Sequence, residues 1–282
     1  MPRIDRSQNW ILRSTYQQTQ TGLLWIPPAM VSAGQNNSPG LMTTREGIQL
    51  KSFMLHNRAA AAITVGIGGR LPNRMWVAGQ WDASETGAEY IADTTDAQDV
   101  GTNDFALETT TNSDGFVVAA LVPFHWASVR VSTAGVDGAG TTDRAVHYTN
   151  AAGSDWTALS SNQTFVDNFT STNTVWASGE NVFAWKPPAD WGPIATGGLS
   201  GIPAGYYALR VTTTDAPDTT AALALAMEIG LMPFMREGVG DNEFFAAGDI
   251  HDDGWLEECD AMVALFSTLN AGNTVTAEVR TR

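Results

Sequence analysis

Apolar and polar residues alternate one by one over many short stretches of this chain, and Thr, Gly, Asn or Ser interrupts them roughly every 6 to 12 residues. That is the rhythm of strands and turns, with one face of each strand buried and the other wet. Thr and Val, stiff at χ1, favour pleated surfaces over helices. Residues 145–148 and 156–159 read as a hairpin around a turn at 150–155, and residues 207–213 alternate in the same way. Residues 116–122 and 129–132 are apolar or β-branched runs separated by a Pro123-Phe124-His125 bend; residues 48–56 and 63–67 look like a further pair. The stretch 274–280, TVTAEVR, predicts a closing strand with Val275, Ala277 and Val279 on one face. Residues 221–232, flanked by Pro217 and Pro233, suit a buried strand better than a helix. The best helix is 255–269, without Gly or Pro, capped by Asp253 and closed by Gly272; a pair of strands is the alternative over the same residues.

This pattern predicts a mostly-β chain: two β-sandwich or jelly-roll-like units, an extended N-terminal arm, and at most one or two short helices. The Gly/Thr-rich stretch 133–142 is the natural internal boundary. The expected organisation is an arm over 1–40, a first unit over 41–135, a second over 136–235, and a C-terminal segment, 236–282, returning to a sheet. Trp10, Leu23, Leu24 and Trp25 stand in the arm as isolated apolar anchors, candidates for contact with a partner; a first strand and loop of the first unit fits them equally.

Composition narrows the partners. The 282 residues carry 15 Lys+Arg against 30 Asp+Glu, a net charge of −15, and Lys51 and Lys186 are the two lysines. Nucleic acid and anionic membranes both need clustered Lys and Arg, so neither is an expected partner. Charged residues make up 16% of the chain, so the surface is neutral with an acidic bias. More than half of the carboxylates fall within 82–104 and 237–260, whereas 145–213 holds Asp155, Asp167, Glu180 and Asp190. One cysteine, Cys259, allows no internal disulfide and reads as a small buried hydrophobe, with a catalytic thiol as the sharper alternative. The opening MPRIDRSQNW has no apolar signal core, and the apolar stretches 59–65 and 221–226 fall short of the roughly 20 residues of a membrane span. Synthesis in the cytoplasm is the expectation.

Few motifs suggest chemistry. Gly66-Ile67-Gly68-Gly69 lacks the Gly-Lys-Ser/Thr ending of a phosphate loop and reads as a tight turn. The histidines at 56, 125, 147 and 251 are dispersed. Asp249, Asp252 and Asp253 are weak metal candidates, without the carboxylate spacing of an EF-hand; Asp96, Asp99 and Asp104 form a similar acidic loop. A structural Ca²⁺ is therefore the one cofactor left open. No G-x-S-x-G occurs and no acid–base pair is identifiable, so no enzyme is expected. Trp76 and Trp81 flank a Gly79 turn, and Trp176, Trp185 and Trp191 surround Pro187-Pro188. Such rings either fill a wide core or form a surface row that stacks on sugars.

Residues 156–213 contain W-T-A-L, D-N-F-T, W-K-P-P-A-D-W and G-Y-Y-A-L-R-V, and upstream stand N-S-D-G-F-V-V and V-P-F. This set resembles a β-sandwich module of tailed-virus structural proteins, found in capsid decoration and tail accessory proteins. The resemblance covers about 105–230. It implies a structural role for Trp156, Trp185, Pro187, Pro188, Trp191, Tyr207 and Arg210, and it brings no catalytic residues. Trp185 and Trp191 would staple the proline segment onto the sandwich. Arg210, on the strand face opposite Leu209, would pair with a carboxylate such as Asp190 or Asp167, in a structural role.

The resemblance implies a virion protein without enzymatic activity, made in the host cytoplasm. The leading expectation is a capsid decoration or cement protein on the outer surface, a homo-oligomer, taken as a trimer, bridging the major capsid protein or other virion proteins. A tail- or fibre-associated module that binds host glycan is the alternative.

Overall fold

A computed structural model of the chain describes residues 10–17, 22–26, 50–57, 63–136 apart from 86 and 102–103, 144–167, 176, 178–199, 201–214, 220–239, 244–247, 259, 261–266 and 274–281. Side-chain environments are defined within 64–232 and at Cys259. The chain is mostly β and divides into two compact units, Met1–Pro72 with Gly230–Arg282, and Asn73–Ile229. Both are built from antiparallel strands, as the alternating pattern predicts. The division itself falls elsewhere than expected. The first unit is assembled from both ends of the chain, and the Gly/Thr-rich stretch near 135 lies inside the second.

In the first unit, β1 (Trp10–Gln17), β2 (Gly22–Ile26), β3 (Leu50–Asn57) and β4 (Ile63–Arg70) come from the N-terminal side. The order of one sheet is β1-β18-β3-β16, with β16 (Phe244–Ala247) and β18 (Thr274–Thr281) from the C-terminal side. The other runs from the later part of β15 (Leu223–Val239) through β4 and β17 (Ala261–Phe266) to β2. Residues 10–17 and 22–26 thus pair within sheets, Trp10 opposite Thr281 and Trp25 opposite Val263. Of the two readings of the N-terminal segment, strands of the first unit is the one its pairing supports.

Three local expectations change. Strands form over 50–57 and 63–70, but they are not partners: β3 lies between β18 and β16, and β4 between β15 and β17. Alternation reports which face of a strand is buried; it does not report which strand lies at its edge. The helix expected over 255–269 gives way to β17 at 261–266, which is bonded along both edges, to β4 and β2. A short apolar run suits a buried strand as well as a helix, and pairing decides. Finally, 66–69 is the interior of β4 rather than a turn. A Cβ on Gly68 would run into the Leu231 carbonyl, and one on Gly66 into the Met232 side chain. The glycines let β15 approach, and β15 carries a register shift between Leu231 and Phe234, around Pro233, which has no N–H to give. Because the obstacle at Gly68 is backbone, Gly68→Ala should destabilise the first unit by about 1–3 kcal/mol, read as a lower urea midpoint.

The second unit has a six-stranded sheet, β11-β10-β14-β8-β5-β6. Its members are β5 (Trp76–Trp81), β6 (Tyr90–Ala92), β8 (Gly115–Ala120), β10 (Arg144–Thr149), β11 (Trp156–Ala158) and β14 (Tyr207–Thr213). The facing sheet is β12 (Thr164–Asp167), β13 (Gly179–Trp185), β9 (Trp126–Thr133) and the first part of β15, on which β7 (Phe105–Ala106) also pairs. One short helix, α1 (Thr94–Gln98), follows β6. The expected hairpin is present as β10–β11, with Thr149 opposite Trp156.

Every residue of β8 is buried, which explains why GFVVAA does not alternate. Its register with β14 sets Val118 opposite Leu209 and Phe116 opposite Val211 on the inner face. On the outer face, Val117 and Ala119 pack with Ala208, Trp81 and Tyr90 beneath Ile194 and Ile202 of the 191–206 loop. Gly79, expected as a turn, is inside β5, where the Tyr90 ring lies close and its hydroxyl donates to the Ala78 carbonyl at 2.8 Å.

Candidate functional site

The residues singled out by the module pattern converge on both faces of the six-stranded sheet. On the inner side, Trp185 packs against Phe124 (ring centroids 5.3 Å apart), Phe183 (5.2 Å) and Trp191 (6.2 Å). Trp191 in turn meets Tyr207 edge-on at 6.1 Å. The Trp185 backbone N–H donates to the His125 carbonyl at 2.8 Å, tying the Pro123-Phe124-His125 bend to the end of β13. Pro188 is buried and Pro187 partly so, and the Trp191 N–H donates to the Pro188 carbonyl. These contacts hold the W-K-P-P-A-D-W segment against its neighbours. They are completed by Thr149, whose hydroxyl donates to the Gly192 carbonyl at 2.6 Å and accepts the Trp191 indole N–H at 3.0 Å.

Deeper in the core lies an ion pair that the pattern did not announce. Arg144 Nε is 3.7 Å from Glu108 Oε2, with both side chains at 1% exposure or less. The guanidinium also sits over the Trp176 ring, 4.3 Å from its centroid. Glu108 Oε1 accepts the Ala222 N–H at 3.3 Å, just before β15. Burial raises the Glu108 pKa, and the positive charge of Arg144 opposes that shift. Alternation did carry a signal for Arg144: it shares parity with Val146 and Tyr148, so it had to point inward. Glu108 gave none.

On the outer face, Arg210 does not pair with Asp190. Its guanidinium carbon is 4.7 Å from the ring centroids of both Trp81 and Trp156, and those rings stand 5.7 Å apart at 85°. Asp190 instead accepts the Tyr148 hydroxyl at 3.0 Å, and Tyr148 lies opposite Leu209 on the inner face, away from Arg210. The side chain of Asp167 is outside the described residues. Burial lowers the Arg210 pKa to about 10, opposed by the charges of Asp155 and Glu89. His147 stands directly opposite Arg210 in the β10–β14 register. Burial and then the charge of Arg210 lower its pKa. His147 Nδ1, Arg210 Nε and Trp156 Nε1 are all buried without a hydrogen-bond partner. His125 Nδ1 is likewise buried and unpartnered, and burial pushes its pKa down to about 4.

Among the described residues the tryptophans do not form a surface row. Trp76, Trp126, Trp176 and Trp185 are buried almost completely, Trp81 and Trp191 nearly so, and Trp156 is half-buried. In the acidic loop, Gln80 donates to Asp93 at 3.2 Å, and burial together with contact from Asp96 raises the Asp93 pKa. Among the described residues no group of three or more His, Cys, Asp or Glu is placed to hold a metal ion, and no helix is long and apolar enough to cross a membrane. Asp249, Asp252 and Asp253 lie outside the described residues. Leu23, Leu24 and Trp25 pair with Leu265, Ala264 and Val263 through the β2 backbone. Cys259 is of intermediate burial rather than fully enclosed.

No protein-family model matches the chain, and no curated protein matches it. Among solved structures, one of infectious bursal disease virus, Gx strain, aligns over 97% of this chain and 79% of that one, with 10% identity and a TM-score of 0.24. A score of that size supports no argument about fold or function.

Proposed function

We propose that the chain is a non-enzymatic structural component of a virus particle, a decoration or cement protein that binds the outside of the shell and bridges capsomers. The observation that carries this reading is the use to which the module's residues are put. Trp185, Pro188, Trp191 and Tyr207 close the inner aromatic block, and Trp156 and Arg210 close the outer face. The segment that resembles a virion module is therefore a scaffold, each of its marked side chains serving packing. The acidic, lysine-poor composition supports a position away from packaged nucleic acid. A symmetric homo-oligomer, a trimer in the simplest case, would bridge neighbouring copies of the major capsid protein.

The contact surfaces follow from sheet order. Strands β1 and β2 end their sheets in the described residues, so Trp10, Leu23, Leu24 and Trp25 lie on edge strands. An edge strand offers a row of backbone donors and acceptors to a neighbouring chain. Bridging is assigned to these edges rather than to a free arm. Removing residues 1–30 would delete both strands and so is a poor test.

Purified chain added to particles that lack it should co-sediment saturably, at a fixed number of copies per capsomer, with new density on the head exterior. Absence of particle binding would overturn the reading. So would a tryptophan fluorescence shift on titration with host polysaccharide combined with density on the tail.

A further inference from the structure

The packing role of the module leaves one arrangement unexplained: a histidine set directly across a strand pair from an arginine, on a face where both lose water. We propose that His147 and Arg210 form an acid-sensitive latch on the outer face of the second unit, in which protonation of His147 sets two positive charges opposite one another and loosens the β10–β11 hairpin, with Trp156, from the sheet.

Cross-strand pairs are the unit of sheet stabilisation, and like charges directly opposite are destabilising. At neutral pH the pair is one cation and one neutral imidazole. The guanidinium is clamped by Trp81 and Trp156, so it cannot swing away from a second charge without losing both rings. His147 Nδ1 is buried with no acceptor, so a proton added there gains no hydrogen bond within the closed structure.

Among the described residues, three charged groups face the pair. From β14 there is Arg210 itself. From the turn before β11 comes Asp155, whose carboxylate accepts the Trp156 N–H at 2.7 Å. From the segment before β6 comes Glu89, which accepts the Gly87 N–H at 3.1 Å. Both carboxylates favour the Arg210 charge, and neither opposes the lowering of the His147 pKa. On β11 the residue opposite His147 is the uncharged Ala158. The sign is that of a depressed histidine. The closed form binds its proton less readily than the open form, so closure is complete above the ordinary histidine pKa of about 6.5 and is lost as pH falls below it. The opening constant should rise by up to about tenfold for each pKa unit of depression.

Hydrogen exchange on the full chain between pH 7.5 and 5, corrected for intrinsic rates, tests this. Peptides within 144–158 should gain exchange as pH falls, while β8 and β9 remain protected. His147→Gln should abolish the gain. Arg210→Met, which keeps an aliphatic stem between the indoles, should reduce it. His125→Gln, which removes the other depressed histidine of this unit, should leave it in place. An equal gain in His147→Gln, or a gain spread evenly over the unit in the unmodified chain, overturns the latch. If His147→Gln does not fold at pH 7.5 by circular dichroism, Arg210→Met decides: an undiminished gain in that variant overturns the proposal. None of these readouts involves particle binding, so the latch and the virion reading fail separately.

Discussion

Arg144→Met should cost the second unit about 3–5 kcal/mol at pH 7, the largest loss expected from removing a single charge among the described residues. Glu108 would be left as a carboxylate at 0% exposure, without the cation that offsets its burial. The surviving Ala222 N–H bond satisfies one of its oxygens only. Glu108→Leu removes the carboxylate that faces Arg144, and the Trp176 face beneath the guanidinium softens that loss. The double variant Glu108→Leu/Arg144→Met should be more stable than either single one, because neither charge of the pair remains buried without the other. The pH dependence separates this account from lost packing. Burial already raises the Glu108 pKa against Arg144, and removing Arg144 raises it further. A carboxyl whose folded-state pKa lies above its unfolded value favours the folded state as it takes up a proton. That stability is fully present below the unfolded pKa and is lost as pH rises through the folded one. The deficit of Arg144→Met should therefore shrink as pH is lowered from 7 towards the ordinary glutamate range of about 4.3. Urea unfolding of the three variants across that range makes the measurement, and a deficit independent of pH would refute the charge argument.

The ion pair also marks where sequence reading stops. Strand positions were legible because period-2 alternation survives in the residues themselves: β14 and β18 lie where their apolar faces place them, and the β10–β11 hairpin closes around the expected turn. The same logic gives the face of any residue, which is how Arg144 can be read as inward and Arg210 as outward. Partnership is a different quantity. Nothing in 48–70 tells β3 to join β18 and β4 to join β17, since edge-to-edge bonding is made by backbone groups common to every residue. Glycine is ambiguous for a related reason. Gly66, Gly68 and Gly79 carry a turn-like residue type for an opposite purpose, admitting a neighbouring side chain, backbone or ring into a strand interior. Parity gives the face of Arg210 but not its neighbours: besides the charges of Asp155 and Glu89, the partly desolvated guanidinium is held by two indole faces rather than by Asp190. Glu108 was invisible because it lies outside any periodic stretch, and only the pairing of β7 with β15 beside it brings it to Arg144.

Trp185 is where the module resemblance and the packing make their sharpest joint statement. Trp185→Ala should lower the stability of the second unit by about 3–5 kcal/mol, because it empties the middle of an aromatic block. Phe124, Phe183 and Trp191 each lose a ring partner, and aromatic pairs of this kind contribute about 0.5–1.5 kcal/mol each beyond area burial. The bend that joins β8 to β9 would also lose the ring beneath it. Trp185→Phe should behave differently. The Trp185 indole N–H is buried without a hydrogen-bond partner, so the indole carries a polar group that the site does not satisfy. Phenylalanine removes that donor while keeping most of the ring, and the gain from deleting an unsatisfied buried group, about 1–3 kcal/mol, offsets the lost volume. A net change within about 1.5 kcal/mol is expected. If Trp185 were instead present to hydrogen-bond a ligand, Phe would be as damaging as Ala to binding while leaving stability intact. Thermal and urea unfolding of both variants, beside particle co-sedimentation, therefore distinguishes a scaffold residue from a recognition residue. A scaffold residue gives co-sedimentation that follows folded fraction alone: retained in Trp185→Phe, and lost in Trp185→Ala only to the extent that the unit unfolds.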